Sequence, residues 1–371
     1  MELASQVFDR ITASISMHPD VKDLLPQLQR DDEVRYWRRV LRVAALCHDL
    51  GHLPFSHAAE RELLPEGWNH EQLTAEIVKS MEKTWQSMTP PLRTDDIIKI
   101  AVGPRRLKAI EFNDWEAILS EIITGDVFGV DRMDYLLRDS HHAGVVYGKF
   151  DYHRLIDTLR ILPKSQVGSR EPCLGIEEGG LHSAEALLLA RYFMYTQVYM
   201  HPVRRMYDIH LKDFLKAWLP DKSFPIDVEK HLKMSDIEIL GAIIKAARDP
   251  GAEGHDPARR IVEHQHYRLL YQRNPDDVKK NPNSARRVFE AARREFGEAD
   301  VRFDSYRQEG DGMDFPVLQK DGRIVSSLVV SETLGKIPVV AIDFVFISPE
   351  KRSIAAKWLR DRLDSIISGD G

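Results

Sequence analysis

Between Ala44 and His57 the chain reads Ala-Ala-Leu-Cys-His-Asp-Leu-Gly-His-Leu-Pro-Phe-Ser-His, with three histidines and an aspartate inside ten residues. His48 and His52 are four apart and share a face if the segment is helical. Asp49 sets a hard carboxylate beside a borderline imidazole, a mixture that suits Mn, Fe or Zn better than calcium, with Mg a further candidate. Gly51 and Pro54 are predicted to end the helix and turn the chain, leaving His52 and His57 at the mouth of a site. Isolated His-Asp pairs are commonly structural. Three imidazoles in one short segment must find partners or stay exposed, which gives ligation equal standing.

Two other stretches carry candidate chemistry. Gly129 to Gly144 holds Val130, Met133, Leu136 and Leu137 at helical spacing, with Asp131, Asp134, Tyr135, Arg138 and Asp139 between them. Taken alone this is a solvated helix with ion pairs three and four residues apart. Trp68-Asn69-His70-Glu71 opens a helix predicted to run to about Trp85, with Asn69 as N-cap and Glu71 in the first turn.

The elements that position these residues follow from apolar spacing and breakers. Leu3, Val7, Ile11 and Ile15 share a helical face at the start of the chain. Asp32 to Leu46 is predicted as the helix that delivers the His-Asp string. After Pro90-Pro91 come short helices over 94–102 and 115–123. Residues 148–162 are predicted to include a short extended piece, and 163–180, rich in Gly, Pro and Ser, to be loop. Leu181 to Leu219 is a long apolar helical stretch interrupted at His201-Pro202, in which Arg191, Tyr199 and His201 are the polar exceptions. Beyond Pro220, helices are predicted over 222–248, 259–273 and 284–296. Then β-branched runs at 324–330 and 339–347 precede a closing helix over 353–367. The expected fold is mainly α, with a helical core over 1–219 and a smaller C-terminal helical and α/β region over 220–371.

The 371 residues are 43% hydrophobic and 30% charged, with a net charge of -6. That composition allows a large core and gives no global argument for nucleic acid, for which only Arg204, Arg205 and short basic runs speak. No apolar run reaches the length of a membrane span. The start, Met1 to Phe8, lacks the basic region and apolar block of a signal peptide. Cys47 and Cys173 are the only cysteines, which fits a reducing compartment. The expected location is cytoplasmic.

The string Cys47-His48-Asp49-Leu50-Gly51-His52-x-Pro54-Phe55-Ser56-His57 resembles the signature of the HD-domain phosphohydrolases. Its longer form resembles the deoxynucleotide triphosphohydrolase branch, dGTPases and the sterile-alpha-motif/HD-domain dNTPases. The Asp131-Arg132-x-Asp134-Tyr135-x-x-Arg138-Asp139 segment is similar to that branch's Asp-(Lys/Arg)-x-Asp-Tyr-x-x-Arg-Asp helix. The resemblance implies an all-helical HD core and a divalent ion held by His48, Asp49 and Asp131. It implies hydrolysis of a dNTP, dGTP first, to deoxynucleoside and tripolyphosphate. His52, His57 and His70 then become acid–base or supporting groups, His57 resembling the proton donor. Glu60, where the family often has aspartate, would orient His57. His70 and Glu71 would place the water, while Arg132, Arg138 and Arg191 would hold phosphate and Tyr135 and Asp139 the sugar. Tyr199 and His201 would approach the triphosphate or base. Relatives assemble as dimers to hexamers, and some take interface dNTPs as activators, so a homo-oligomer and an activator dNTP are implied as well.

One departure stands against this pattern. The branch carries a further ligand in an Arg-x-x-His-Ser-Leu-Gly motif a few residues before a sequence like Met1-Glu2-Leu3-Ala4, where this chain begins. No His-Ser-Leu-Gly occurs elsewhere, and His18 before Pro19 is a poor substitute. Either translation has been assigned to an internal methionine, or the chain is a truncated, inactive paralogue. The alternatives to a dNTPase are therefore a catalytically impaired nucleotide-sensing protein and an HD phosphohydrolase of another nucleotide or phosphoester.

Overall fold

The structure is a computed structural model and describes residues 1–13, 17–56, 60–164, 170–308 and 313–368. His57, and Ile15 of the first apolar stripe, lie outside the described residues. The longer helices, in chain order, are α1 (Glu2–Ile11), α2 (Asp31–Cys47), α3 (His70–Ser80), α4 (Thr94–Val102), α5 (Asp114–Thr124), α6 (Val130–His142), α7 (Tyr152–Thr158), α8 (Leu181–Met194), α9 (Pro202–Trp218), α10 (Asp236–Arg248), α11 (His255–Val262), α12 (Ser284–Phe296) and α13 (Arg352–Ser368). The strands among the described residues are β1 (Leu159–Pro163), β2 (Pro172–Glu177), β3 (Arg268–Gln272), β4 (Val301–Arg307), β5 (Pro316–Leu318), β6 (Ile324–Ser326) and β7 (Ala341–Ile347). The chain is mainly α, a helical core with a small C-terminal α/β element.

One compact unit takes in Met1–His52, Glu66–Met194 and Gly310–Pro338. Here α1 buries Ala4, Val7, Phe8 and Ile11 completely, as its apolar period requires. Helix α2 opens on Asp31, Asp32 and Glu33, acids that suit the positive end of a helix, and buries Trp37, Val40, Leu41, Ala44 and Cys47. Helix α3 starts in a reciprocal capping box, with the Asn69 side chain accepting from Gln72 N–H and the Gln72 side chain accepting from Asn69 N–H. It stops at Ser80 rather than running to Trp85. A second short helix, Glu82–Ser87, follows, and its Trp85 folds back to donate Nε1–H to the Val78 carbonyl at 2.8 Å.

The stretch over 163–180, expected as loop, instead contains β2, which pairs antiparallel with β1 from Leu159↔Ile176 to Pro163↔Pro172. Its other edge runs parallel to β5, which in turn pairs with β6. Pro172 stands at the first strand position, where no ladder hydrogen bond is lost. At Gly175 a Cβ would lie 2.5 Å from the Pro316 carbonyl oxygen. Breaker residues here serve close strand approach rather than a loop.

The second unit takes in Leu53–Pro65, Tyr195–Glu309 and Val339–Gly371. Its sheet has order β3-β7-β4, antiparallel throughout. Along β7 the side chains alternate: Val345 and Ile347 join Ala285, Val288 and Ala292 of α12 and Ala355 and Leu359 of α13. Phe344 and Phe346 join Met206 and Ile209 of α9 and Tyr267. The helix expected over 259–273 ends at Val262. His264 takes a positive φ of 56°, and β3 follows with Tyr271 buried. The strand expected over 324–330 ends at Ser326, whose side chain caps a helical turn, Ser327–Val330. No helix among the described residues is long and apolar enough to cross a membrane.

Replacing Asn69 by alanine removes the α3 cap and is expected to cost about 1 kcal/mol of stability. Urea unfolding of the variant beside the parent measures it.

Candidate metal centre

The site begins where α2 ends. His48 is the residue at its C-cap, still in the α region, and its Nδ1 contacts the Ala45 carbonyl at 3.2 Å, fixing the ring. The chain then turns tightly, with Leu50 N–H donating to Cys47 O and His52 N–H donating to Asp49 O, each at 3.1 Å. This turn lies against the first turn of α3. A Cβ at Gly51 would sit 2.1 Å from His70 O and 2.4 Å from Thr74 N, so only glycine allows the approach. The Thr74 hydroxyl holds it there, accepting from Gly51 N–H at 2.9 Å and donating to His48 O at 3.0 Å.

Helix α6 supplies the third wall. Gly129 is its N-cap, where a Cβ would meet Gly125 O at 2.6 Å, and its first turn carries Asp131. His48 Nε2 lies 3.3 Å from both Asp49 Oδ2 and Asp131 Oδ1, and His52 Nε2 lies 3.4 Å from Asp49 Oδ1. His48 Nε2 is sealed from solvent and forms no well-shaped hydrogen bond. Burial alone would pull this imidazole down, but the Asp131 and Asp49 carboxylates outweigh it and hold it above its ordinary value. Burial would likewise push Asp49 up, yet the imidazoles of His52 and His48 hold it below the usual carboxylate range.

The donor set fits a divalent transition ion. The ligating atoms of His48, Asp49 and Asp131 all lie within 4.8 Å of one another, as do those of Asp49, His52 and His70. Bonds of about 2.1 Å put neighbouring ligand atoms about 3.0–3.4 Å apart, close to the spacings around His48. Oxygen and imidazole donors together favour a transition ion over calcium. A buried ring nitrogen poised between two carboxylates without a proper hydrogen bond is the mark of an atom shaped for another partner.

Beside this cluster His52 and His70 stack, with centroids 4.2 Å apart and planes 12° from parallel. His70 Nδ1 lies 3.5 Å from Glu71 Oε2, and Arg106 Nε pairs with Glu71 Oε1 at 2.9 Å. Arg106, on the turn after α4, carries no periodic signal that sequence reasoning could use. Asp131, Tyr135 and Asp139 fall one helical turn apart on a common face of α6. Arg138 is exposed and pairs with Asp134 at 3.1 Å.

Two expected phosphate-binding side chains are engaged with the protein itself. Arg132 donates to Thr124 O, Gly125 O and Asp126 Oδ1, and Arg191 donates to Asp126 O at 3.0 Å. Arg105, which no sequence motif marks, pairs with the same Asp126 carboxylate. Glu60, Tyr199 and His201 belong to the second unit. Glu60 begins the short helix Glu60–Leu63, Tyr199 ends a π-type turn over Tyr195–Tyr199, and His201 caps α9 by accepting from Val203 N–H. His18 also proves to be a helix cap, accepting from Asp20 N–H.

A helical scaffold that gathers imidazoles and carboxylates from a His-Asp turn and two further helices is the architecture of the HD class. The chain matches the HD domain family over residues 21–139 and the HD-associated region over 150–300. An uncharacterized protein of Methanocaldococcus jannaschii is 34% identical over 199 residues, covering 54% of this chain and 38% of that one. The deoxynucleoside triphosphate triphosphohydrolase SAMHD1 of Gallus gallus is 28% identical over 282 residues, covering 65% of this chain and 44% of that protein. A hypothetical protein from Aquifex aeolicus, known from its crystal structure, superposes with a TM-score of 0.72 at 28% identity, over 96% of this chain and 86% of that one. The chain belongs to the HD-domain phosphohydrolases. It spans less than half the length of the two curated relatives named here.

Thr74→Val removes the hydroxyl that ties Gly51 to His48, and metal affinity is expected to fall about 10–100-fold, as it does when a supporting partner is lost. Thr74→Ser keeps the hydroxyl and is expected to bind metal like the parent. Competition against a chromogenic chelator reads both.

Proposed function

We propose that the chain is a divalent-metal phosphohydrolase of deoxynucleoside triphosphates, dGTP first, in which water cleaves the dNTP to deoxynucleoside and tripolyphosphate. The observation that carries this reading is the buried His48 Nε2 set 3.3 Å from the Asp49 and Asp131 carboxylates. Further support comes from the Asp131, Tyr135 and Asp139 face of α6 and from the likeness to a protein named for dNTP triphosphohydrolysis.

His48, Asp49 and Asp131 hold the ion in this reading, with His52 and His70 at its margin. When bound, the ion neutralises phosphate oxygens and makes its water more acidic. His70 and Glu71 accept the proton of the attacking water, and Arg106 keeps Glu71 aimed. His57, oriented by Glu60, gives a proton to the leaving oxygen. Tyr135 and Asp139 meet the sugar, a tyrosine under C2′ leaving no room for a ribose hydroxyl. Arg132, Arg138, Arg191, Tyr199 and His201 contact the phosphates and base. A homo-oligomer with an activating dNTP at its interfaces belongs to the same proposal, as does a cytoplasmic location.

The test is incubation of the chain with dGTP and Mn²⁺, followed by anion-exchange separation of the products. Tripolyphosphate that disappears with His48→Ala is the expected result. Pyrophosphate or single phosphate would replace dNTP triphosphohydrolysis with cleavage of an anhydride bond within the triphosphate. Retained Mn²⁺ and dGTP binding without any product would assign a nucleotide-sensing role.

A further inference from the structure

The second unit contains a polar cavity of about 570 Å³ to which the proposed reaction assigns no role, walled by α9, the start of α11, and the strands that follow. Its floor is His210, only 3% exposed. Tyr267 N–H donates to His210 Nε2 at 3.3 Å, which places the ring proton on Nδ1. Among the described residues that Nδ1–H has no protein acceptor, and the nitrogen is not sealed within the protein. Burial and the nearby Arg260 and Arg302 pull the imidazole down to about 3, so it remains a neutral donor at physiological pH.

Both arginines also line the cavity. Their guanidinium carbons lie 4.7 Å and 5.2 Å from the Tyr267 ring centroid, so they cannot be further apart than the sum of those distances. Arg302 commits Nη1 to the carbonyls of Glu298, Ala299 and Val301. Arg260 commits Nε to Asp256 and Nη1 to the Gln265 carbonyl. In each case Nη2 has no protein acceptor among the described residues, while Nη1, and in Arg260 Nε as well, is anchored. Helix α11 begins at the rim on Gly254 with no side-chain cap, adding its positive end. Two carboxylates face the same space. Asp256 is held by Arg259 and Arg260, and Asp213 stands 3.8 Å from Arg302 Nε.

Three anchored donors without acceptors, around a cavity of ligand size, are the requirements of an oxyanion site. We propose that this cavity binds a small oxyanion, phosphate or the phosphate end of a phosphate ester, through His210 Nδ1–H and the Nη2 groups of Arg260 and Arg302. Asp213 weakens the site by its charge and sets a ceiling on affinity.

Calorimetric titration of the full chain with inorganic phosphate, and separately with GMP, tests this. Arg302→Gln is expected to weaken binding about tenfold, the loss of one charge-assisted contact. Asp213→Asn, which removes a repelling charge and breaks no hydrogen bond, is expected to tighten it several-fold. That opposite sign keeps the test decisive even if Arg302→Gln fails to fold. His48→Ala, which removes a ligand of the proposed metal centre, is expected to leave this binding intact. Tighter binding of GMP identifies an ester as the ligand, and equal binding identifies the free ion. Affinity unchanged in Asp213→Asn, or abolished in His48→Ala, would overturn the proposal.

Discussion

One buried hydroxyl holds the candidate centre together. Thr74 is completely enclosed, and its oxygen accepts from Gly51 N–H while donating to His48 O. Each bond is worth only about 0.5–1.5 kcal/mol net, but both fall on the turn that must present His48, Asp49 and His52 together. The close fit at Gly51 gives the hydroxyl its leverage, because α3 can lie against that turn only where no side chain intervenes. His70 and Glu71 then arrive beside His52 as a consequence of backbone contact. The turn's share of the cluster and that of α3 are thereby reduced to one helix-to-turn packing event, and α6 adds Asp131.

Charge is arranged around this frame with equal economy. His48 faces two carboxylates from different segments, and its raised proton affinity shows that a positive charge is stabilised there. A proton satisfies that field in part, but it can complete only one good bond to one oxygen. A divalent ion meets all three donors at once, so the geometry favours the ion over the proton. By contrast the Arg138–Asp134 pair on the outer face of α6 is exposed at both ends and adds little to stability.

Much of this could be read from residue order. The His-Asp string, the Asn69 cap and the spacing of Asp131, Tyr135 and Asp139 are local signals, and local signals survive in sequence. What could not be read depends on partners far along the chain. β2 is a strand because β1 and β5 flank it, and its Gly and Pro residues carry the opposite local message. Residues 268–272 are a strand because β7 accepts them, although an apolar run of that length suits a helix equally well. The cap made by His201 and the brace made by Arg106 are also long-range or positional facts, invisible to periodicity.

The arginines show how far a motif alone can mislead about energetics. Arg132 and Arg105 converge on the Asp126 carboxylate, while Arg191 meets the carbonyl of the same residue. These bonds brace the turn between α5 and α6, and α6 begins one residue before Asp131. A guanidinium has five donors in a rigid fork, so Arg132 can hold that turn with Nη1 and Nη2 and still offer Nε. In the proposed reaction phosphate would meet side chains already oriented by the backbone, with little rotamer entropy left to lose. The same bonds that make these residues look structural would therefore also prepare them for the proposed phosphate contacts. Asp126 joins the position of Asp131 to the posture of the arginines in a single turn.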